Sequence, residues 1–146
     1  MAICHWVTLD KMSRSKVFSL PVRVYFQDTD AGGVVYHASY VNFMERARTE
    51  WLRTHGYSNA GLMKQFGSVF VVRSLKLDYL KPALLDDMLD VTAQIKDIGR
   101  SRLSLIQTVL RDEELLTEAE VHLVCVSLET FKPVSVPAVL RDQLKK

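Results

Sequence analysis

Cysteine is scarce in this chain: two among 146 residues, Cys4 and Cys125, at opposite ends. A disulfide framework is not expected, and a reducing compartment such as the cytoplasm suits the chain. Long apolar runs are missing too. The N-terminal "MAICHWVTL" is short, has no basic residue before it and no small-residue cleavage site, and runs straight into Asp10. We therefore expect neither a signal peptide nor a membrane anchor. No block of five or six like charges occurs, and 19 basic residues stand against 17 acidic ones for a net charge of +2. That balance argues against nucleic acid or a membrane surface as partner. There is no internal repeat and no low-complexity segment.

What is present is an ordinary globular composition, 48% apolar and 25% charged, at a length suited to one core. Residues 1–16 read as a polar, ill-fitting extension with Met12 as an alternative start, and residues 17–146 as a single domain. "PVRVYF" (Pro21 to Phe26) alternates as a half-buried strand, with Val22, Val24 and Phe26 on one side. "SYVNFMERARTEWLRTHG" places Tyr40, Met44, Ala47 and Trp51 on one helical stripe, and His55 and Gly56 are stop signals. A short helix follows at "NAGLMKQF". "SVFVVRSLKLDYL" returns to a period of two, with Val69, Val71, Leu75, Leu77 and Tyr79 on one face and Arg73 intruding on it. Further strands are expected at Met88 to Ile98, Arg102 to Arg111 and Leu115 to Leu128, and a closing helix in "VPAVLRDQLKK".

Short links between successive strands predict antiparallel neighbours. One long amphipathic helix against one five-stranded antiparallel sheet is a two-layer α+β domain. The other face of that sheet carries Phe70, Val72, Ile106, Leu110, Leu116, Val124 and Val126 by the same parity. A face that apolar calls for a cover, and another subunit would supply it.

The stretch that asks for chemistry is "DTDAGGVVYHASY", Asp28 to Tyr40. One reading is a plain loop in which Asp and Gly serve turn geometry. A phosphatase of the haloacid-dehalogenase type would use Asp-x-Asp, but on a parallel sheet with alternating helices, which this element order does not provide. A metal held by Asp28, Asp30 and His37 has the residue types but no regular ligand spacing. The remaining reading holds a carboxylate beside the open N-terminus of the long helix. Unpaired N–H groups there bind a polarised carbonyl or oxyanion, and an aspartate beside it attacks the carbon or activates water.

"DTDAGGVVYHASY", the following "FMERARTEWL" and the later "YLKPALLDDML" together resemble the hotdog-fold acyl-CoA thioesterases, from about Pro21 to Pro137. The branch most similar is the 4-hydroxybenzoyl-CoA thioesterase type, and within it the small thioesterases associated with the Tol-Pal system of Gram-negative bacteria. The resemblance implies a long helix wrapped by an antiparallel sheet, dimers paired through the sheet edge, and dimers associating into a homotetramer.

The same resemblance implies roles. Asp30 is the catalytic carboxylate, as nucleophile or as general base, and Asp28 is structural. His37 supplies the helix-start amide that polarises the thioester carbonyl. Gly33 and Gly32 let the loop pass close to the acyl group, and Tyr36 and Tyr40 line its tunnel. Arg100 and Arg102 in "GRSRL" match a turn where relatives place basic residues for coenzyme A phosphates, although Gly99 stands where another cation is expected. Glu45, Arg46, Arg48 and Glu50 are assigned no chemistry. No metal or redox cofactor is implied. The expected activity is hydrolysis of acyl-CoA to free acid and coenzyme A. The alternatives are a binding module for acyl-CoA or for an acyl carrier protein's acyl group in membrane-lipid metabolism, and, less well matched, a hotdog dehydratase with a differently placed histidine.

Overall fold

The structure is a computed structural model and describes residues 17–146. Cys4, Met12 and the rest of the expected extension lie outside the described residues. The chain runs β1 (Phe18–Arg23), one 3-10 turn (Phe26–Asp28), α1 (Ser39–Thr54), α2 (Asn59–Phe66), β2 (Ser68–Tyr79), β3 (Met88–Ile98), β4 (Arg102–Arg111), β5 (Glu114–Ser127) and α3 (Ala138–Leu144). The two-layer α+β expectation holds, and the expected helix and strand positions agree with these elements to within a few residues.

Helix α1 forms because its apolar residues recur every three or four positions. The stripe is wider than expected, with Phe43 and Leu52 buried beside Tyr40, Met44, Ala47 and Trp51. Its end is followed by Gly56 at φ +88°, a conformation that costs glycine little. Helix α2 is capped at both ends. The Ser58 side chain accepts from Gly61 N–H, and Gly67, left-handed, returns its own N–H to Met63.

The sheet order is β1-β3-β4-β5-β2, with every neighbouring pair antiparallel. Strand β2 therefore does not lie beside β3, against the expectation drawn from short links. It crosses to the far edge and pairs with β5. Three strand spacings amount to about 14 Å. The connecting residues 80–87, when extended, reach well beyond that. β1 is the other edge, which is why Pro21 is tolerated in it.

Bulges correct the expected faces. The β2–β5 register shifts between Val72 and Ser74, so Arg73 is the extra residue rather than an intruder on an apolar face. Phe70 and Val72 pair with Cys125 and Leu123 of the inner face, and Val69 and Val71 move to the outer one. A second shift, between Val109 and Leu110, puts Leu116 in the core. Leu110, Val124 and Val126 remain on the outer face by alternation and are already buried. Edge strand β2 instead leaves apolar side chains in water: Val72, Leu75 and Tyr79 are 51%, 37% and 49% exposed.

Two apolar clusters fill the space between α1 and the sheet. One, around Tyr40, Phe43 and Met44, underlies the Asp28–Tyr40 loop; the other, around Trp51, Leu52 and Leu140, lies at the opposite end. Gln107, fully buried, ties the layers together. Its amide donates to the carbonyls of Met44 (3.0 Å) and Thr92 (3.1 Å), and its oxygen accepts from Arg48 (2.9 Å). Burial pulls the Arg48 guanidinium below its ordinary pKa, so its hydrogen bond to Gln107 matters. Gln107→Leu keeps the volume but strips Arg48 and two carbonyls of their partner; we expect a loss of about 2 to 4 kcal/mol in urea unfolding.

Candidate active site

The chain leaves β1 at Arg23 and turns at once, so strand alternation stops before Phe26, which is 80% exposed and not on the inner face as expected. The turn buries Asp28. Its carboxylate accepts from Tyr25 N–H at 2.8 Å, and its carbonyl accepts from Tyr36 N–H at 2.8 Å and from the Ser39 hydroxyl at 3.3 Å. Asp28 thus closes the loop onto the start of α1, a structural task.

Asp30 stands at the tip, exposed. Its backbone N–H reaches the Val34 carbonyl, and its Oδ1 accepts from Gly32 N–H at 2.8 Å. A Cβ on Gly32 would lie 3.1 Å from that oxygen, and Gly33 turns at φ +80°. The glycines therefore serve the aspartate's own close turn. No other protein group bonds the carboxylate's second oxygen among the described residues, so it is available for chemistry.

His37 sits just ahead of α1, exposed beside Tyr36, with ring centroids 4.5 Å apart. The peptide carrying the His37 N–H is held on its other side, because the Tyr36 carbonyl accepts from Ser39 N–H at 2.8 Å. The His37 N–H itself has no acceptor among the described residues. One loop thus presents an open carboxylate and an open amide at a helix start. Tyr36 is 46% exposed and borders this surface, whereas Tyr40 is a core residue. The Tyr40 hydroxyl accepts from Ala83 N–H at 3.0 Å, and burial raises its pKa despite that bond.

Sequence reasoning missed the groups that come from the crossing segment 80–87 and the end of β2. The Ala83 carbonyl accepts from Val35 N–H at 2.9 Å, and Tyr79 donates its hydroxyl to the His37 carbonyl at 2.6 Å. Behind the segment, Arg111 bonds Asp87 (2.7 Å), Glu114 (2.7 Å) and the Pro82 carbonyl (3.2 Å), and the same Asp87 oxygen also accepts from Leu84 N–H (2.8 Å). The segment "YLKPALLDDML" offered a signal, but not which loop it would touch.

Arg100 and Arg102 are not brought to Asp30. Arg102 begins β4 and Arg111, near the loop, ends it; ten residues of strand make about 30 Å. Arg100 binds the Ser135 hydroxyl at 2.9 Å. Arg102 instead shares a shallow pocket of about 280 Å³ with Arg73 and His122. Among the described residues Arg73 has no carboxylate partner, and no cluster of three or more His, Cys, Asp or Glu is arranged for a metal ion. No helix among them is long and apolar enough to cross a membrane.

An antiparallel five-stranded sheet thus packs on one long helix, with a free carboxylate and a free amide at that helix's start. A model of the thioesterase-like superfamily matches residues 24–144. The acyl-CoA thioester hydrolase YbgC of Escherichia coli is 47% identical over 131 residues, 89% of this chain and 97% of that protein. The acyl-CoA thioesterase YbgC of Haemophilus influenzae is 45% identical over 120 residues, 82% of this chain and 88% of that one. Among solved structures, a probable thioesterase from Bartonella henselae superposes with a TM-score of 0.80 at 35% identity, covering 83% of this chain and 99% of that one. The chain belongs to the thioesterase-like superfamily, and its fold is the hotdog fold.

Glu114 is held below the ordinary glutamate pKa by Lys81 first and Arg111 second. Its contribution to stability is complete at neutral pH and disappears as pH falls through that lowered value. In Arg111→Gln, which leaves Lys81 in place, we expect a smaller acid-side loss that still begins near the ordinary value of about 4.3 and is complete at a higher pH than in wild type. Thermal unfolding midpoints of both proteins between pH 7 and 3 test this.

Proposed function

We propose that the protein hydrolyses acyl-CoA thioesters to a free acid and coenzyme A at the Asp28–Tyr40 loop. The observation that carries the reading is the pair just described: the open carboxylate of Asp30 and the unpartnered N–H of His37. The thioester carbonyl oxygen accepts from the His37 amide, where the positive end of α1 adds to the polarisation. One such donor is worth about 3 to 4 kcal/mol in the transition state. Asp30 either deprotonates the attacking water or attacks the carbonyl carbon itself to give an acyl-aspartate that water then opens. In both routes a C–O bond forms, the C–S bond breaks and coenzyme A leaves as its thiol.

Gly33 keeps the loop tip low, Tyr36 flanks the acyl group, and Tyr40 backs the site from the core. Arg100 and Arg102 lie too far along β4 to join Asp30 of the same protomer. For them to meet coenzyme A phosphates, the site must be completed by a second protomer. The long edge strand β2, with unpaired backbone groups and exposed Val72, Leu75 and Tyr79, is the surface suited to that pairing. In this reading the protein is a homo-oligomer, a dimer of dimers, working in the cytoplasm where acyl-CoA is available.

Thiol release from short, long and aromatic acyl-CoAs, comparing wild type with Asp30→Asn, is the test. We expect turnover of one class and at least a ~100-fold loss of kcat in the variant, with an unchanged unfolding midpoint. Binding of acyl-CoA without thiol release by either protein would replace hydrolysis with a carrier function, for coenzyme A or an acyl carrier protein.

A further inference from the structure

Tyr79 is the last residue of β2, forty-two positions from His37, and so far it has been assigned no part in catalysis. Its hydroxyl donates to the His37 carbonyl at 2.6 Å. That carbonyl has no other donor among the described residues. The Tyr79 ring also meets the Tyr40 ring edge-on, centroids 5.4 Å apart, and the His37 ring at 6.4 Å. The 36–39 turn is thus held from one side by Asp28 and from the other by Tyr79, while the intervening His37 N–H is left open. A donor fixed in place before the reaction needs no reorganisation as charge develops on the substrate oxygen.

We infer that Tyr79 is a positioning residue for catalysis: its hydroxyl, bonded to the His37 carbonyl, fixes the turn that aims the His37 amide at the substrate oxygen. The inference rests on the thioesterase reading above. It predicts a loss in kcat rather than in substrate binding, because the amide's strongest contact is made in the transition state. Burial raises the pKa of the Tyr79 hydroxyl, so across the neutral range it keeps the proton it donates to the His37 carbonyl.

The experiment is Tyr79→Phe, which keeps both ring contacts. We expect kcat to fall about tenfold, the order of one neutral hydrogen bond, with KM within about twofold, an unaltered pH profile and an unchanged unfolding midpoint. A kcat within twofold of wild type, a loss carried by KM, or a reshaped pH profile would each overturn the inference. Amide hydrogen exchange of the peptide spanning residues 28–40 supplies a readout independent of turnover. Faster exchange in the variant supports the clamp and unchanged exchange overturns it. If wild type hydrolyses no thioester, the functional reading fails, and the exchange result still decides whether Tyr79 holds the turn.

Discussion

The site depends on how one buried residue spends its backbone. Ala83 has no exposed surface, gives its N–H to the Tyr40 hydroxyl and its carbonyl to Val35 N–H, and so joins the crossing segment to both ends of the loop's second half. A buried backbone group left unpaired is costly, so these two bonds are strongly enforced once the apolar cluster around Tyr40 and Phe43 has formed. Packing of α1 therefore sets the loop, and the loop sets the distance between carboxylate and amide. The Arg111, Asp87 and Glu114 ion pairs brace the same segment from outside, and half-exposed pairs of this kind contribute less.

The two aspartates of the motif show how environment divides labour between identical side chains. Asp28 is buried with its carboxylate on Tyr25 N–H and its carbonyl on Tyr36 N–H, which closes the loop. Asp30, two residues on, has one oxygen steadied by Gly32 N–H and the other facing solvent. The role proposed for Asp30 needs that combination of fixed direction and open lone pairs. The glycine pair is required by the aspartate's own turn, because a side chain at Gly32 would crowd Oδ1 and one at Gly33 would have to adopt a left-handed conformation.

Much of the fold was legible because periodicity is a local property. The stripe on α1, the short helix α2 and the three long C-terminal strands follow from residue spacing alone. Strand order and faces were harder. A bulge at Arg73 inverts the parity of half of β2, and nothing in "VVRSLK" distinguishes an extra residue from a charged one on an apolar face. The link of residues 80–87 looks like a hairpin turn, yet its length suffices to span three strand spacings, passing the two strands β4 and β5. Of the site, Asp28, Asp30, Gly33 and His37 were readable as one motif. Tyr79 and Ala83 were not, since they reach the loop from about forty residues away.

The amino-acid sequence by itself determined the elements and the chemical inventory: an amphipathic helix, strands with one apolar side, and a loop bearing two carboxylates, two glycines and a histidine ahead of a helix. These are set by local sterics and by the spacing of apolar residues. Only the tertiary structure decided which aspartate is buried and which is open, where Arg100 and Arg102 lie relative to Asp30, and which distant groups hold the His37 turn. Each of those depends on contacts between segments remote in the chain, and such contacts are chosen by the packing of the whole core rather than by any stretch within it.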